Sequence, residues 1–261
     1  MSFHDELGTR MKENYESIPK TRLMRRTPVA LRLDGKAFHT FTRGLNRPFD
    51  SVFINAMQDT MKYLCENIQG CVFGYTQSDE ITLILIDYQT FETQAWFDYE
   101  VQKMCSIAAS MASVAFNRYF RHYAYEKELN NSQGYWAIGD KEYHRILRNK
   151  INQNPVFDCR CFNIPKEEVA NLIYWRQLDA IRNSIQMVGQ ANFSHKELHS
   201  KSCKQIKEML ASKRKVIWDD MGIYVQRGSA CRKGEKGWEV DLNMPIIKDN
   251  RAYIEDLIYL D

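Results

Sequence analysis

The sequence predicts an α+β fold of the ferredoxin-like type, β-α-β-β-α-β across roughly residues 28–162, followed by a C-terminal helical and β extension. Three observations carry that prediction. Four short apolar runs, at 29–33, 71–76, 81–86 and 156–162, have the length and composition of strands. Two long segments with apolar residues at helical spacing separate the first run from the second and the third from the fourth. Only a polar turn at Gln77 and Ser78 separates the second run from the third, so that pair reads as a β-hairpin.

The elements follow in order. The first 26 residues are polar and end in a basic cluster, Arg22, Arg25 and Arg26. The first strand closes on Asp34-Gly35. Phe53, Met57, Met61, Leu64 and Ile68 then share one helical face, with Asp50 or Ser51 suited to the N-cap and Gly70 to the stop. After the hairpin, Val101, Met104, Ala108, Met111, Ala115 and Tyr119 define a second helix, whose small residues permit close packing. Residues 123–154 are polar and basic and read as an insertion or a surface arm. Beyond the fourth strand, Pro165 suits the first turn of a long helix reaching about Val188, and a more polar helix is expected over 195–212. β signals recur at 217–225 and around Trp238, split by the Gly-rich run 227–237. The expected division is 1–162, carrying the inserted basic segment, and 163–261, a helical subdomain with a small β appendage.

With 261 residues, 44% hydrophobic and 26% charged, the chain can bury a sizeable core, which argues against wholesale disorder. The formal charge of +3 neither demands nor excludes nucleic acid, so the grouping of charge matters more than its sum. Seven cysteines without a Cys-x-x-Cys pair read as reduced thiols of a cytoplasmic protein. The N-terminus has no apolar signal core, and no stretch approaches the ~20 apolar residues of a membrane span, so no membrane partner is expected.

The chemistry-bearing pair is Asp34 and Asp79. In this topology the first and third strands are central neighbours, so Asp34 at the end of one and Asp79 at the turn into the other meet at one edge, with Glu80 beside them. Carboxylates brought together resist joint ionisation unless a cation sits between them. Oxygen donors favour Mg²⁺ shared with substrate phosphates, and two such ions activate an attacking oxygen and stabilise leaving pyrophosphate. Taken singly, Asp-Gly and Ser-Asp-Glu are common turns; it is their joint placement that favours a metal site. Gly35 allows close backbone approach, and Lys36 and His39 offer charge to a ligand, while Phe38 and Phe41 suit a core anchor. Basic residues Arg43, Arg47, Lys103, Arg118, Arg121, Lys141, Arg145, Arg148 and Lys150 alternate with Tyr119, Tyr123, Tyr125, Tyr135, Trp136 and Tyr143. That mixture suits RNA phosphates and unstacked bases, or else an ordinary solvated face. His195 and His199 lack a third ligand and read as surface histidines.

The segments LRLDGKAFHTF, GYTQSDEITLIL, FDCR and YWRQLDAIRN, in that order, resemble the tRNA-histidine guanylyltransferase-like family, with weaker similarity in YVQRGSACRK. The resemblance implies a polymerase-like palm and 3′-to-5′ nucleotide addition to tRNA. In that reaction a 5′-monophosphate is first activated by ATP or GTP and then attacked by the 3′-hydroxyl of an incoming nucleotide. It implies Asp34 and Asp79 as metal-binding carboxylates, Gly35 as a carbonyl ligand to the same Mg²⁺ ions, and Glu80 as an acid important for activity. It further implies that Asp34, Gly35, Lys36, Ala37, Phe38, His39, Ser78 and Asp79 bind the nucleotide, that Arg47 holds phosphate, and that the assembly is a homotetramer. Where the eukaryotic branch reads His-Ile-Asn-Asn, this chain has Ile181, Arg182, Asn183 and Ser184. The absent histidine resembles the bacterial and archaeal type and implies template-dependent repair of truncated tRNA 5′ ends over addition of an unpaired G. Lys103, Arg145, Arg148, Lys150, Arg182 and Asn183 are the expected tRNA contacts. Two other readings fit the same topology: a nucleotide cyclase, and a non-catalytic RNA-binding module in which the two aspartates are turn residues.

Overall fold

Side-chain alternation along the strands decides the architecture. The structure, a computed structural model, describes residues 3–131 and 138–260. Helix α1 (Phe3–Met11) precedes β1 (Val29–Gly35), the short α2 (Phe38–Phe41), α3 (Ser51–Asn67), β2 (Cys71–Gln77), β3 (Glu80–Leu85), α4 (Val101–Asn131), α5 (Ile138–Lys150) and β4 (Phe157–Asn163). The C-terminal part adds α6 (Lys166–Asn192), α7 (His195–Leu198), α8 (Cys203–Met209), α9 (Ile223–Arg227), β5 (Ser229–Gly234), β6 (Gly237–Asp241) and α10 (Ala252–Glu255). The strands form one sheet in the order β4-β1-β3-β2-β5-β6, each neighbouring pair antiparallel. As the sequence order requires, β1 and β3 are adjacent at its centre.

Val29, Leu31 and Leu33 of β1 and Ile81, Leu83 and Leu85 of β3 face α3 and α4. The alternate residues Ala30 and Ile84 face Val169, Ala170 and Ile173 of α6 and the C-terminal Met244, Ile247, Ile254 and Ile258. The sheet is therefore covered on both sides, and each fully buried large side chain stabilises it by roughly 1.5–3 kcal/mol. Asp50 caps α3 by accepting from the Phe53 amide at 3.0 Å. Ala108 and Ala112, completely buried, let α4 approach closely. A third apolar cluster packs the far half of α6 against Ile206, Leu210 and Trp218. The N-terminal basic cluster is partly spent internally: Arg25 Nε and the Arg26 amide each lie 2.8 Å from the wholly buried Asp87 carboxylate. No helix among the described residues is long and apolar enough to cross a membrane.

Four expectations change. Within the segment expected to be an insertion or a surface arm, the described residues join the core: α4 runs on to 131, and α5 buries Tyr143 and Leu147 beside Phe120 and Ala124. The i,i+4 spacing of Tyr143 and Leu147 was obscured by the surrounding charge. Tyr135 and Trp136 lie outside the described residues. The β signals at 217–225 belong to a single 3₁₀ turn at Trp218–Asp220 and to α9, because Trp218 is buried against α6 and its Nε1 donates to Ser184 Oγ at 3.0 Å. The Gly-rich run 227–237 is β5 and the turn after it, and β5 extends the same sheet by pairing with β2. The helix expected over 195–212 breaks into α7 and α8 at Ser200, whose φ is +59°.

Candidate active site

Three carboxylates align across the strand ends. The register sets Asp34 opposite Glu80 on β3 and opposite Asp158 on β4. Directly opposed residues share a face, here the side covered by α6. Asp79 comes from the β2–β3 turn, which Ser78 makes at φ +52°. The Gly35 amide donates to the Asp79 carbonyl at 3.1 Å, tying the end of β1 to that turn.

The acids differ in what neutralises them. Glu80 Oε1 lies 2.6 Å from Arg176 Nε and Oε2 lies 2.8 Å from Arg32 Nη2. Arg176, whose side chain is 8% exposed, also reaches Asp179 Oδ2 at 2.9 Å. Asp179 in turn holds Arg182 and Asn183. Glu80 is thus committed to an ion network joining the sheet to α6. Neither Asp34 nor Asp79 forms an ion pair among the described residues, and the one side-chain donor at Asp79 is Ser78 Oγ, at 3.0 Å. Burial pushes both carboxyls above the ordinary carboxylate range; Asp158 and Glu80 add to the rise at Asp34, and Asp34 and Glu80 add to it at Asp79. A cation relieves this arrangement, and oxygen-only donors select a hard one. Among the described residues no group of three or more His, Cys, Asp or Glu side chains is placed to hold a metal. A metal at this edge would find two unpaired carboxylates and would need backbone oxygens and phosphate oxygens to complete its coordination, a pattern suited to Mg²⁺.

The turn after β1 is built around an aromatic core. A Cβ on Gly35 would lie 2.3 Å from Phe38 Cδ2. The Phe38 ring cannot yield, because Phe41, Phe53, Phe116 and Phe157 surround it at centroid distances of 5.4, 6.0, 5.2 and 5.0 Å. Gly35→Ala is accordingly expected to destabilise the fold by about 1–3 kcal/mol, measured by denaturant unfolding. The Phe38 side chain belongs to this core, so only its backbone is available to a ligand. The Gly35 and Lys36 amides are spent on Asp79 and Val156 carbonyls. Those of Ala37, Phe38 and His39 lie at the open start of α2, where helical amides lack intrahelical partners. The Lys36 side chain is exposed.

Beside the acids lies a cavity of about 520 Å³. His39, Arg43 and Arg47 form a basic wall; Gln77 and Ser78 connect it to Asp79; Ser184, Gln190 and Tyr224 close it from α6 and α9. Asp50 shapes the basic wall, accepting from the Asn46 amide at 3.0 Å and from Tyr143 Oη at 2.6 Å.

The family model for Thg1, tRNAHis guanylyltransferase, matches residues 8–165. The chain belongs to the Thg1 family. Family members are nucleotidyltransferases, and the resemblance carried by the four sequence motifs holds. A solved bacterial Thg1-like protein in complex with ATP superposes with a TM-score of 0.83 at 37% identity, covering 97% of this chain and 100% of that one. A second bacterial Thg1-like structure, in complex with GTP, gives 0.73 at 34% identity over the same shares. An uncharacterised protein of Acanthamoeba polyphaga mimivirus is 27% identical over 88% of this chain and 78% of its own length. The probable tRNA(His) guanylyltransferase of Mus musculus is 28% identical over 41% of this chain and 35% of its own length.

In this Thg1-family chain, three of the residues expected to contact a nucleotide, His39, Arg47 and Ser78, line the cavity, and Asp34, Gly35 and Asp79 stand next to it. The basic residues expected at tRNA lie elsewhere. Lys150 is 8% exposed, its ammonium 3.3 Å from the Thr40 carbonyl, and burial lowers its pKa. It supports α2 from within. Arg145, Arg148 and Arg182 are exposed but paired with Glu142, Glu128 and Asp179, and Lys103 lies over the Phe97 ring at 4.9 Å. Sequence reasoning overlooked Asp158, Gln190 and Tyr224. A weak signal existed for two of them, since Asp158 and Tyr224 fall inside motifs already singled out.

Proposed function

We propose that the chain adds nucleotides to the 5′ end of tRNA in the 3′-to-5′ direction, repairing truncated ends against the opposite strand, on a palm-type sheet of ferredoxin-like order. The observation that carries this reading is the pair Asp34 and Asp79, without a neutralising partner beside a basic cavity, in a chain of the Thg1 family. The bacterial relatives solved with ATP and GTP support a nucleoside triphosphate in that cavity. The basic wall of His39, Arg43 and Arg47 then faces its phosphates, with Ser78 next to the reacting end. Asp34 and Asp79, with the Gly35 carbonyl, would hold Mg²⁺, which supplies charge neutralisation on the triphosphate and the leaving group. In the first step an oxygen of the RNA 5′-monophosphate bonds the α-phosphorus of the triphosphate and pyrophosphate leaves. In the second the incoming 3′-hydroxyl loses its proton and bonds the RNA 5′-phosphorus, releasing the nucleoside monophosphate. The hydroxyl proton passes to solvent, and the chain's own part is orientation of the reacting groups at a site where charge builds.

Ile181 stands where the eukaryotic branch has histidine and packs, partly buried, against the third apolar cluster; the absent imidazole supports repair over histidine-tRNA selection. Ser184 is buried and accepts from Trp218, and Asn183 bonds Asp179, so both side chains serve packing. A homotetramer is expected by kinship with the family and is read by sedimentation. All seven cysteines are free thiols, consistent with a reducing, cytoplasmic setting.

The test incubates the protein with Mg²⁺, labelled GTP, ATP and a tRNA lacking its first nucleotide. RNA extended at the 5′ end, dependent on the opposing base, supports the proposal. A cyclic nucleotide formed without RNA, or RNA binding with no product, overturns it.

A further inference from the structure

We propose that a second cavity in this chain is a subsite for a backbone phosphate of the RNA substrate. The inference rests on the reading that RNA is the substrate. The cavity has a volume of about 520 Å³ and shares Arg47 and Gln190 with the nucleotide cavity, so one trough leads from one to the other. Its remaining polar walls are Gln186, His195, His199, Ser200 and Lys201, and no carboxylate lines it. The set offers imidazole, hydroxyl, ammonium and guanidinium donors, which match a phosphate group.

The donors are held in place although they sit between short helices. Ser194 and Glu197 form a reciprocal capping box on α7, and Ser202 and Gln205 form one on α8. Ser200, at φ +59°, turns the chain so that His199 and Lys201 flank it, and the Lys201 amide donates to the Leu198 carbonyl at 3.0 Å. The His195 and His199 rings lie 6.3 Å apart. The Glu197 carboxylate is engaged with Ser194, so it does not compete for the cavity. The field around it is positive: residues 195–215 carry seven Lys and Arg against two Glu.

The same walls argue against a second nucleotide. A nucleoside needs a face on which to stack its base. The one aromatic ring here beyond the two imidazoles, Phe193, is buried, with the Arg214 guanidinium 5.0 Å over it. A phosphate diester of the acceptor strand, carried along the trough from the reacting 5′ end, fits what remains.

The experiment measures tRNA affinity by fluorescence anisotropy across salt concentrations, and GTP affinity by calorimetry with Mg²⁺. It uses the full chain and the variants Lys201→Ala, Lys201→Arg and His195→Ala/His199→Ala. Lys201→Ala is expected to weaken tRNA binding about tenfold and to reduce the slope of log Kd against log salt by about one, with GTP affinity unchanged. Lys201→Arg is expected to restore both, and the double histidine variant to weaken tRNA binding at unchanged melting temperature. Unaltered tRNA affinity in all variants overturns the proposal, as does weakened GTP binding with tRNA binding intact, which makes the cavity a nucleotide subsite. A native chain that binds no tRNA overturns both this inference and the function it rests on. A native chain that binds and extends tRNA, with variants that bind equally well, overturns this inference alone.

Discussion

Asp79→Asn is expected to leave the protein folded and tRNA affinity within a few-fold while nucleotidyl transfer falls roughly a thousandfold. A cation-held charge is worth several kcal/mol in the transition state, and each ~1.4 kcal/mol is a factor of ten in rate. The substitution keeps the shape of the side chain and removes only the charge. It also has a signature in stability. Burial, Asp34 and Glu80 raise the Asp79 carboxyl above its ordinary range in the folded chain. A carboxyl raised on folding binds more protons folded than unfolded. Its favourable contribution is therefore present at low pH and is lost as pH climbs from the ordinary carboxylate range through the raised value. Above that window, without divalent ions, the neutral Asn variant is expected to melt higher than the native chain. Added Mg²⁺ is expected to raise the melting temperature of the native chain more than that of the variant. Transfer that survives in Asp79→Asn, or a melting temperature indifferent to both pH and Mg²⁺, removes the metal role of this residue.

Arg176→Ala is expected to cost about 3 kcal/mol of stability, because removing one partner of a buried ion pair strands the other. For a chain of this size that is a fall of roughly 6–12 °C in melting temperature. Arg176 bridges Glu80 on β3 and Asp179 on α6, and α6 supplies Ser184 and Gln190 to the cavity. Loss of the bridge should thus lower kcat as well, through a displaced wall. Arg176→Lys is expected to recover little, since an ammonium cannot span two carboxylates as a planar guanidinium does. Glu80→Gln should lower stability and activity together while Mg²⁺ affinity persists, measured by the Mg²⁺ dependence of the melting temperature. That combination assigns Glu80 to positioning of α6; lost Mg²⁺ affinity at native stability would assign it to the ion instead.

The legible part of the site was the part written in contiguous chemistry. Asp34-Gly35 after an apolar run, and Ser78-Asp79 inside a hairpin, mark strand ends whatever else the chain does, and the strand order then brings them to one edge. The sequence marks Gly35 as a place for close backbone approach, and its actual constraint is the Phe38 ring packed against it. The roles of the basic residues are not legible from composition. Lys150 and Arg148 are neighbours in composition, yet one is buried under α2 and the other is paired on the surface with Glu128. Tyr143 looked like an RNA-facing aromatic and instead holds Asp50 at the foot of the cavity.

Apolar periodicity, turn residues and the order of the runs determined by themselves the first four strands, the two long helices between them and the meeting of Asp34 with Asp79, because these depend on neighbours three or four positions away or on topology with few alternatives. Only the tertiary structure decided that Glu80 is neutralised while the two aspartates are not, that β5 joins the sheet carrying Asp34, and which cations face a cavity. Those outcomes depend on pairing and desolvation by atoms distant in the chain: Arg176 for Glu80, Gly74 and Tyr75 for β5, and the loops around Arg47 and Lys201 for the trough.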